Sequence, residues 1–209
     1  MPILCLFGGH SAKTHEEYWV LISGELNKLK PKQILHLGFA RTSKTFEEGF
    51  SEFKKNLSIN FMCEILDASK SSDIKRAKEP LIFVSGGHNH VALYGAVTQN
   101  KLLNTLVLAA EYYFGESAGA MLAGSSQRKH GGDSSLMHGL GILKSTVIEA
   151  HYSQRNKQEL LRKEMKAGRC KYGIGIDEAA GIKIHSEKFP RSYDVIGKGK
   201  VEVIARQFT

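Results

Sequence analysis

Short apolar runs alternate along this chain with longer amphipathic stretches, and that alternation predicts most of the architecture. Residues 3–7 are apolar throughout, as a strand covered on both faces must be, and the run stops at Gly8-Gly9. Residues 14–30 follow with helical spacing, and Thr14 with Glu17 three positions on makes a capping-box pattern at the start. A second strand is expected at 34–37 and a helix at 44–56, where Phe46, Phe50 and Phe53 repeat at helical intervals as core residues. A third strand is expected at 58–66, and a fourth at 81–85 breaks at Gly86-Gly87. A helical stretch from about 91 to 109 leads into a short strand at 112–115. Beyond it lie another helix, a polar Gly-rich loop at 125–133, a strand at 146–150 and a helix at 153–167. Closing strands are expected at 173–177, 181–184 and 201–206.

Strand–helix–strand repetition implies an α/β fold, a mainly parallel sheet with helices on both faces. No repeat, low-complexity tract or Pro/Gly-rich linker divides the 209 residues, so one domain spanning 1–209 is expected. Sheets of this kind place ligands outside the carboxyl ends of their strands. Gly86-Gly87, Ser117, His151 and Glu178 all fall at such ends.

Composition narrows the class. Hydrophobic residues at 42% and charged residues at 24% are the balance of a folded globular protein, which excludes a disordered chain. Three cysteines, Cys5, Cys63 and Cys170, lie far apart with no C-x-x-C pair, which argues against a disulfide framework and suits a reducing compartment. The N-terminus lacks a basic n-region, and no apolar run approaches a membrane span, so a cytoplasmic protein without membrane attachment is expected. The formal charge of +8 favours anionic partners. Much of it sits between Gln154 and Lys171, a stretch that reads as a solvated helix face. No nucleic-acid motif accompanies it, so nucleic acid is not expected as a partner.

The candidate chemistry centres on Gly115-Glu116-Ser117-Ala118-Gly119, a G-x-S-x-G run after a β-rich segment and before a helix-compatible one. A serine on a sharp strand-to-helix turn needs small neighbours on either side because the backbone there is crowded. The turn exposes the hydroxyl, and the amide of Ala118 becomes a natural donor to a developing oxyanion. A serine also needs a base. Among nine histidines, His151 stands out because it ends an apolar strand and opens a polar segment. A third group must orient the imidazole, and three carboxylates are candidates: Glu178, Asp177 and Asp133. Neighbouring strand residues point to opposite faces, so at most one of Asp177 and Glu178 can serve. Gly87 ends a very apolar strand and is the expected second oxyanion donor. His88 and Arg155 are expected to line the substrate pocket.

Taken together, these pieces resemble the peptidase S51 family, which includes peptidase E and cyanophycinase. The resemblance rests on Ser85-Gly86-Gly87, the elbow through Ala120, the segment His151-Tyr152-Ser153-Gln154-Arg155-Asn156, and Gly173-Ile174-Gly175-Ile176-Asp177-Glu178. It implies a class I glutamine amidotransferase-like fold, a flavodoxin-like three-layer sandwich, with Ser117 and His151 paired. It favours Glu178 as the acid and keeps Asp133 as runner-up. It also implies a serine peptidase acting on short peptides next to an acidic residue, with no metal and no cofactor; a monomer or homodimer is expected. Two departures bear on substrate: His88-Asn89-His90 follows the glycine pair, where peptidase E-like members carry Asn and cyanophycinases Asp-Gln.

Three rival readings remain at this level. An esterase of the α/β-hydrolase type shares the elbow, but it would need an HGGG-type loop before Ser117 and more chain after it. A metal held by His88-x-His90 would need a third ligand of suitable spacing. A binding module on the same fold would have lost turnover.

Overall fold

The computed structural model describes residues 2–42, 45–129 and 135–206. The first half runs β1 (Ile3–Phe7), α1 (His15–Leu29), β2 (Gln33–Leu37), α2 (Phe46–Asn56), β3 (Glu64–Asp67), α3 (Ser71–Arg76), β4 (Leu81–Val84), α4 (His90–Gln99), α5 (Lys101–Ala109) and β5 (Tyr112–Glu116). The second half continues with α6 (Ala118–Leu122), β6 (Ser126–Arg128), β7 (Leu136–His138), β8 (Thr146–Ala150), α7 (Gln158–Ala167), β9 (Tyr172–Ile176), β10 (Ala180–His185), β11 (Asp194–Gly197) and β12 (Val201–Ala205).

The strands form a seven-stranded sheet in the order β11-β10-β1-β5-β4-β2-β3 and a five-stranded sheet in the order β12-β9-β8-β6-β7. In the larger sheet the five strands from β1 to β3 are parallel, and β10 and β11 extend it antiparallel. The smaller sheet keeps β6, β8 and β9 parallel and adds antiparallel β7 and β12 at its edges. The architecture is α/β with helices on both sides, as the alternation predicts.

Alternation along each strand divides the core in two. Leu4 and Leu6 of β1, Leu35 and Leu37 of β2, and Ile82 and Val84 of β4 face one way. They pack with α4, α5 and α6 and with Ile148, Ile174 and Ile176 of the smaller sheet. Cys5, Phe7, Ile34, Leu81, Phe83 and Phe114 face the other way, under Tyr18, Trp19, Ile22 and Leu26 of α1 and Phe53 of α2. Fully apolar strands are therefore a requirement of position, since neither face meets water. The far face of the smaller sheet is closed by α7, where Leu161 and Met165 pack on Val147 and Tyr152. No helix among the described residues is long and apolar enough to cross a membrane.

Several local expectations are corrected. The strand expected at 58–66 is confined to Glu64–Asp67. Residues before it bond to α1 instead: the Ser58 amide donates to Ser23 Oγ at 3.0 Å, and the Asn60 amide to Asn27 Oδ1 at 2.9 Å. The single helix expected from 91 to 109 is two helices, because Asn100 is extended and its side chain accepts from the Leu103 amide at 3.1 Å. The loop expected at 125–133 begins with strand β6, paired with β7. The helix expected from 153 starts at Gln158, after a turn in which Asn156 takes a positive φ of 50°. Helix α1 forms as expected, but Thr14 makes no side-chain cap. Its hydroxyl is drawn elsewhere.

Candidate active site

The parallel pairings bring several strand ends level. Phe7 of β1 lies beside Glu116 of β5, and Ala150 of β8 beside Ile176 of β9. The next residues along the chain are Gly8, Ser117, His151 and Asp177. Backbone bonds then fix these ends: the Ser117 amide donates to the Phe7 carbonyl at 2.9 Å within the larger sheet, and the His151 amide joins the two sheets by donating to the Gly8 carbonyl at 3.1 Å.

Glycines make this junction possible. A Cβ on Gly8 would lie 2.0 Å from the Asp177 carbonyl oxygen, so only glycine lets β1 end so close to the end of β9. Gly9 has a φ of +84°, and a Cβ there would approach His151 Nε2 to 2.9 Å. The elbow obeys the same rule. A Cβ on Gly115 would reach the Gly119 carbonyl oxygen at 2.6 Å, and one on Gly119 would strike the Val84 carbonyl oxygen at 2.1 Å. Ser117 itself sits at φ 48°, ψ −109°, a sparsely populated conformation for a residue with a Cβ. The strain lies on the one residue whose hydroxyl the turn presents.

From that hydroxyl a continuous chain of contacts runs inward. Ser117 Oγ is 3.3 Å from His151 Nε2, and His151 Nδ1 is 2.8 Å from Glu178 Oε1. An ionised carboxylate can only accept, so the Glu178 contact puts the proton of a neutral ring on Nδ1 and leaves Nε2 to accept from Ser117. Burial lowers the pKa of His151 below its ordinary value, and Arg155 and Lys157 push the same way against the opposing pull of Glu178. The ring is therefore held in its basic form near neutral pH. Burial works to raise the pKa of Glu178, but hydrogen bonds from Ser11, His151 and Thr14 outweigh it and keep the carboxyl below the usual range.

The adjacent carboxylate faces elsewhere. Asp177 Oδ1 accepts from the Ser153 amide at 2.9 Å and Oδ2 from the Lys200 amide at 3.1 Å, so both of its oxygens are used in joining loops. Asp133, the other carboxylate expected from sequence, lies outside the described residues. A cleft of about 590 Å³ opens over Ser117, lined among others by His10, Gly87, His88, His151 and Arg155. Gly86 gives its amide to Glu116 Oε2 at 3.3 Å, which fixes the turn, and Gly87 after it lines the cleft. A Cβ on Gly87 would meet the Ala40 carbonyl oxygen at 2.3 Å. His88 is exposed on the cleft, whereas His90 is buried with Nδ1 2.9 Å from the Arg128 carbonyl oxygen.

Most of the basic stretch from Gln154 to Lys171 is exposed, as expected of a solvated face. Lys157 is the exception. It is buried, with Nζ 2.6 Å from Glu149 Oε2 and 2.9 Å from the Ala150 carbonyl oxygen. Sequence reasoning also missed Arg128, which holds Glu149 through two bonds of 2.8 and 2.9 Å. It missed Ser11 and Thr14 beside Glu178 as well. A polar residue inside an apolar strand, Glu149 between Ile148 and Ala150, was the available signal for the first cluster; none marks the second.

The model of peptidase family S51 matches residues 4–191. The chain is similar to the cyanophycinase of Geminocystis herdmanii, 28% identical over 138 residues that cover 60% of this chain and 49% of that protein. Cyanophycinases of Synechococcus elongatus and Thermosynechococcus vestitus are each 30% identical over 135 residues, covering 59% of this chain and 41% of theirs. The chain thus spans about half the length of the curated relatives it matches, or less. A peptidase from an acI-B1 Actinobacterium has the same fold, with a TM-score of 0.62 at 18% identity, covering 99% of this chain and 97% of that one.

Proposed function

The chain belongs to peptidase family S51, and on that premise we propose that it is a serine peptidase of short peptides, working through Ser117, His151 and Glu178. The observation that carries this reading is the unbroken contact chain from Ser117 Oγ through the His151 ring to Glu178, at 3.3 and 2.8 Å, beneath an open cleft. His151 Nε2 takes the Ser117 proton as Oγ attacks the peptide carbonyl carbon. The amides of Gly87 and Ala118 receive the oxyanion. His151 then gives the proton to the leaving amine, and water, deprotonated by the same nitrogen, releases the acyl group. Glu178 holds the ring in the required tautomer throughout.

An acidic residue next to the scissile bond is the substrate feature this reading favours. Arg155 on the cleft supports it, since an exposed cation near the nucleophile would meet a substrate carboxylate, and the exposed His88 imidazole can donate a hydrogen bond there. The test is mass spectrometry of the intact protein after treatment with a fluorophosphonate, wild type against Ser117→Ala. Labelling that disappears in the variant supports an activated serine and directs a dipeptide library toward acidic N-terminal residues. Absence of labelling in folded wild type would overturn the hydrolase reading and favour a binding module.

A further inference from the structure

Behind Glu178 lies a pair of hydroxyl residues that no step of the reaction uses. Thr14 Oγ1 stands 3.2 Å from Glu178 Oε2, across 164 positions of sequence. The Ser11 amide donates to the same Thr14 oxygen at 2.9 Å, and Ser11 Oγ lies 3.2 Å from it. Both residues belong to the turn that leaves β1 and enters α1, with the Thr14 amide donating to the Ser11 carbonyl at 3.2 Å.

The direction of these bonds follows from what each atom can give. The Ser11 amide occupies one acceptor site of the Thr14 hydroxyl, so that hydroxyl has one proton to place. Its two neighbours are a serine oxygen and an ionised carboxylate, and the carboxylate is the stronger acceptor. Thr14 therefore donates to Glu178 Oε2 while His151 Nδ1–H donates to Oε1. The carboxylate is gripped at both oxygens, and the Glu178 amide is held as well, donating to Gln154 Oε1 at 3.1 Å. Thr14 thus shares with Ser11 the hydroxyl grip on Glu178 opposite the imidazole, and without Thr14 the carboxylate, whose terminal torsion is broad and nearly two-fold, would hold the ring less firmly.

We propose that Thr14, braced by Ser11, is a positioning residue for this site, holding the Glu178 carboxylate so that it aims the His151 ring at Ser117. The proposal rests on the reading of Glu178 as the triad acid. It also explains why the capping-box pattern at Thr14 is not used as a cap: the hydroxyl is already committed. The side chain at this position needs a hydroxyl more than a methyl group, so serine should replace threonine and valine should not.

The rate at which a fluorophosphonate modifies Ser117 reads the site without requiring a known substrate. Thr14→Val is expected to be labelled ~10-fold more slowly, the order of loss when a reacting group is slightly misaimed. Thr14→Ser should return close to wild type, and Ser11→Ala should fall between. Combined with Glu178→Gln, Thr14→Val should add no further loss, because the group it positions is gone. A purely structural role would make the two losses multiply and would leave Thr14→Ser as slow as its shape change demands. If Glu178→Gln is slow while Thr14→Val labels at the wild-type rate, the positioning role is overturned and the triad stands. If Glu178→Gln itself labels at the wild-type rate, the triad reading fails and this inference with it. Thermal melts of each variant separate loss of fold from loss of aim, and Ser11→Ala tests the brace should Thr14→Val not fold.

Discussion

Two constellations of ionisable side chains leave the same end of β8 and reach opposite conditions. His151 joins Ser117 and Glu178 at the floor of the cleft. Glu149, two residues earlier, is fully buried with Arg128, Lys157 and Glu164. Both contain carboxylates beside cationic or basic groups, so residue type does not separate them. Burial and the number of donors do. Glu178 is half-buried and has hydroxyl and imidazole donors enough to stay ionised. In the buried cluster burial raises the pKa of Glu149, yet Lys157 and Arg128 together bring it below the ordinary value. Glu164 lies next to that ionised neighbour, and burial with Glu149 pushes its carboxyl up to about 9. Glu164 Oε1 is 3.2 Å from Arg128 Nε, but that nitrogen already gives its proton to Glu149 at 2.8 Å. Of the two carboxyls, Glu164 is the one whose protonated form is favoured. One constellation keeps a base ready at an open face; the other holds β6, β8 and α7 together and shields its charges.

The sharpest test of that contrast exchanges carboxylates at the cleft. Glu178→Gln should reduce kcat ~10³- to 10⁴-fold, because a glutamine no longer enforces the tautomer that leaves Nε2 free. Asp177→Asn should leave kcat within a few-fold and instead lower stability by ~1–3 kcal/mol, since one of its two amide partners loses its acceptor. Equal kinetic losses in the two variants would erase the distinction between aiming and bracing. The second test concerns the buried cluster. Glu149→Gln leaves Arg128 and Lys157 without their shared counter-charge and should cost ~3–5 kcal/mol in urea unfolding. A loss under ~1 kcal/mol would show that the cluster does not brace the sheet.

A smaller effect follows from Glu164. Its folded-state pKa is raised, so its contribution is fully present below the ordinary carboxyl pKa and is lost as pH rises through about 9. Wild-type stability should therefore carry a decline across that window, and Glu164→Gln should flatten it. Unfolding curves at several pH values measure this, and an unchanged slope would mean that Glu164 is ionised in the fold. The smallest expected change is at His151. Burial, then Arg155 and Lys157, lower its pKa, so the acid limb of the fluorophosphonate labelling rate should fall below the ordinary histidine value of ~6.5. Arg155→Gln removes one of the lowering charges and should move that limb upward. A limb that does not move would place the effect in burial alone.

Much of the candidate site was legible in the sequence. Ser117 was marked by small neighbours, His151 by its place after an apolar strand, and Gly87 by the break at the end of β4. These signals are local, because a strained turn or a strand end is encoded in the residues that form it. Glu178 was one of three carboxylates open at that level, and only the family resemblance favoured it. The strand expected at 58–66 and the unbroken helix at 91–109 failed for a related reason. Ser58 and Asn60 find partners on α1, and Asn100 turns from helix residue to cap, which periodicity does not register.

What the sequence determined by itself was the alternation of buried strands and amphipathic helices, and with it the α/β class and the strand ends where chemistry would gather. Periodicity and glycine placement encode these within a few residues. Only the tertiary structure decided which of Asp177 and Glu178 faces His151, that Thr14 serves Glu178 and not its own helix, and that Arg128, Glu149, Lys157 and Glu164 meet in one buried cluster. Each of those outcomes depends on groups far apart in the chain, brought together by strand register and by the near-contact of Gly8 with Asp177. A hydrogen bond needs its partner within about 3 Å, and no local pattern states which distant residue will arrive there.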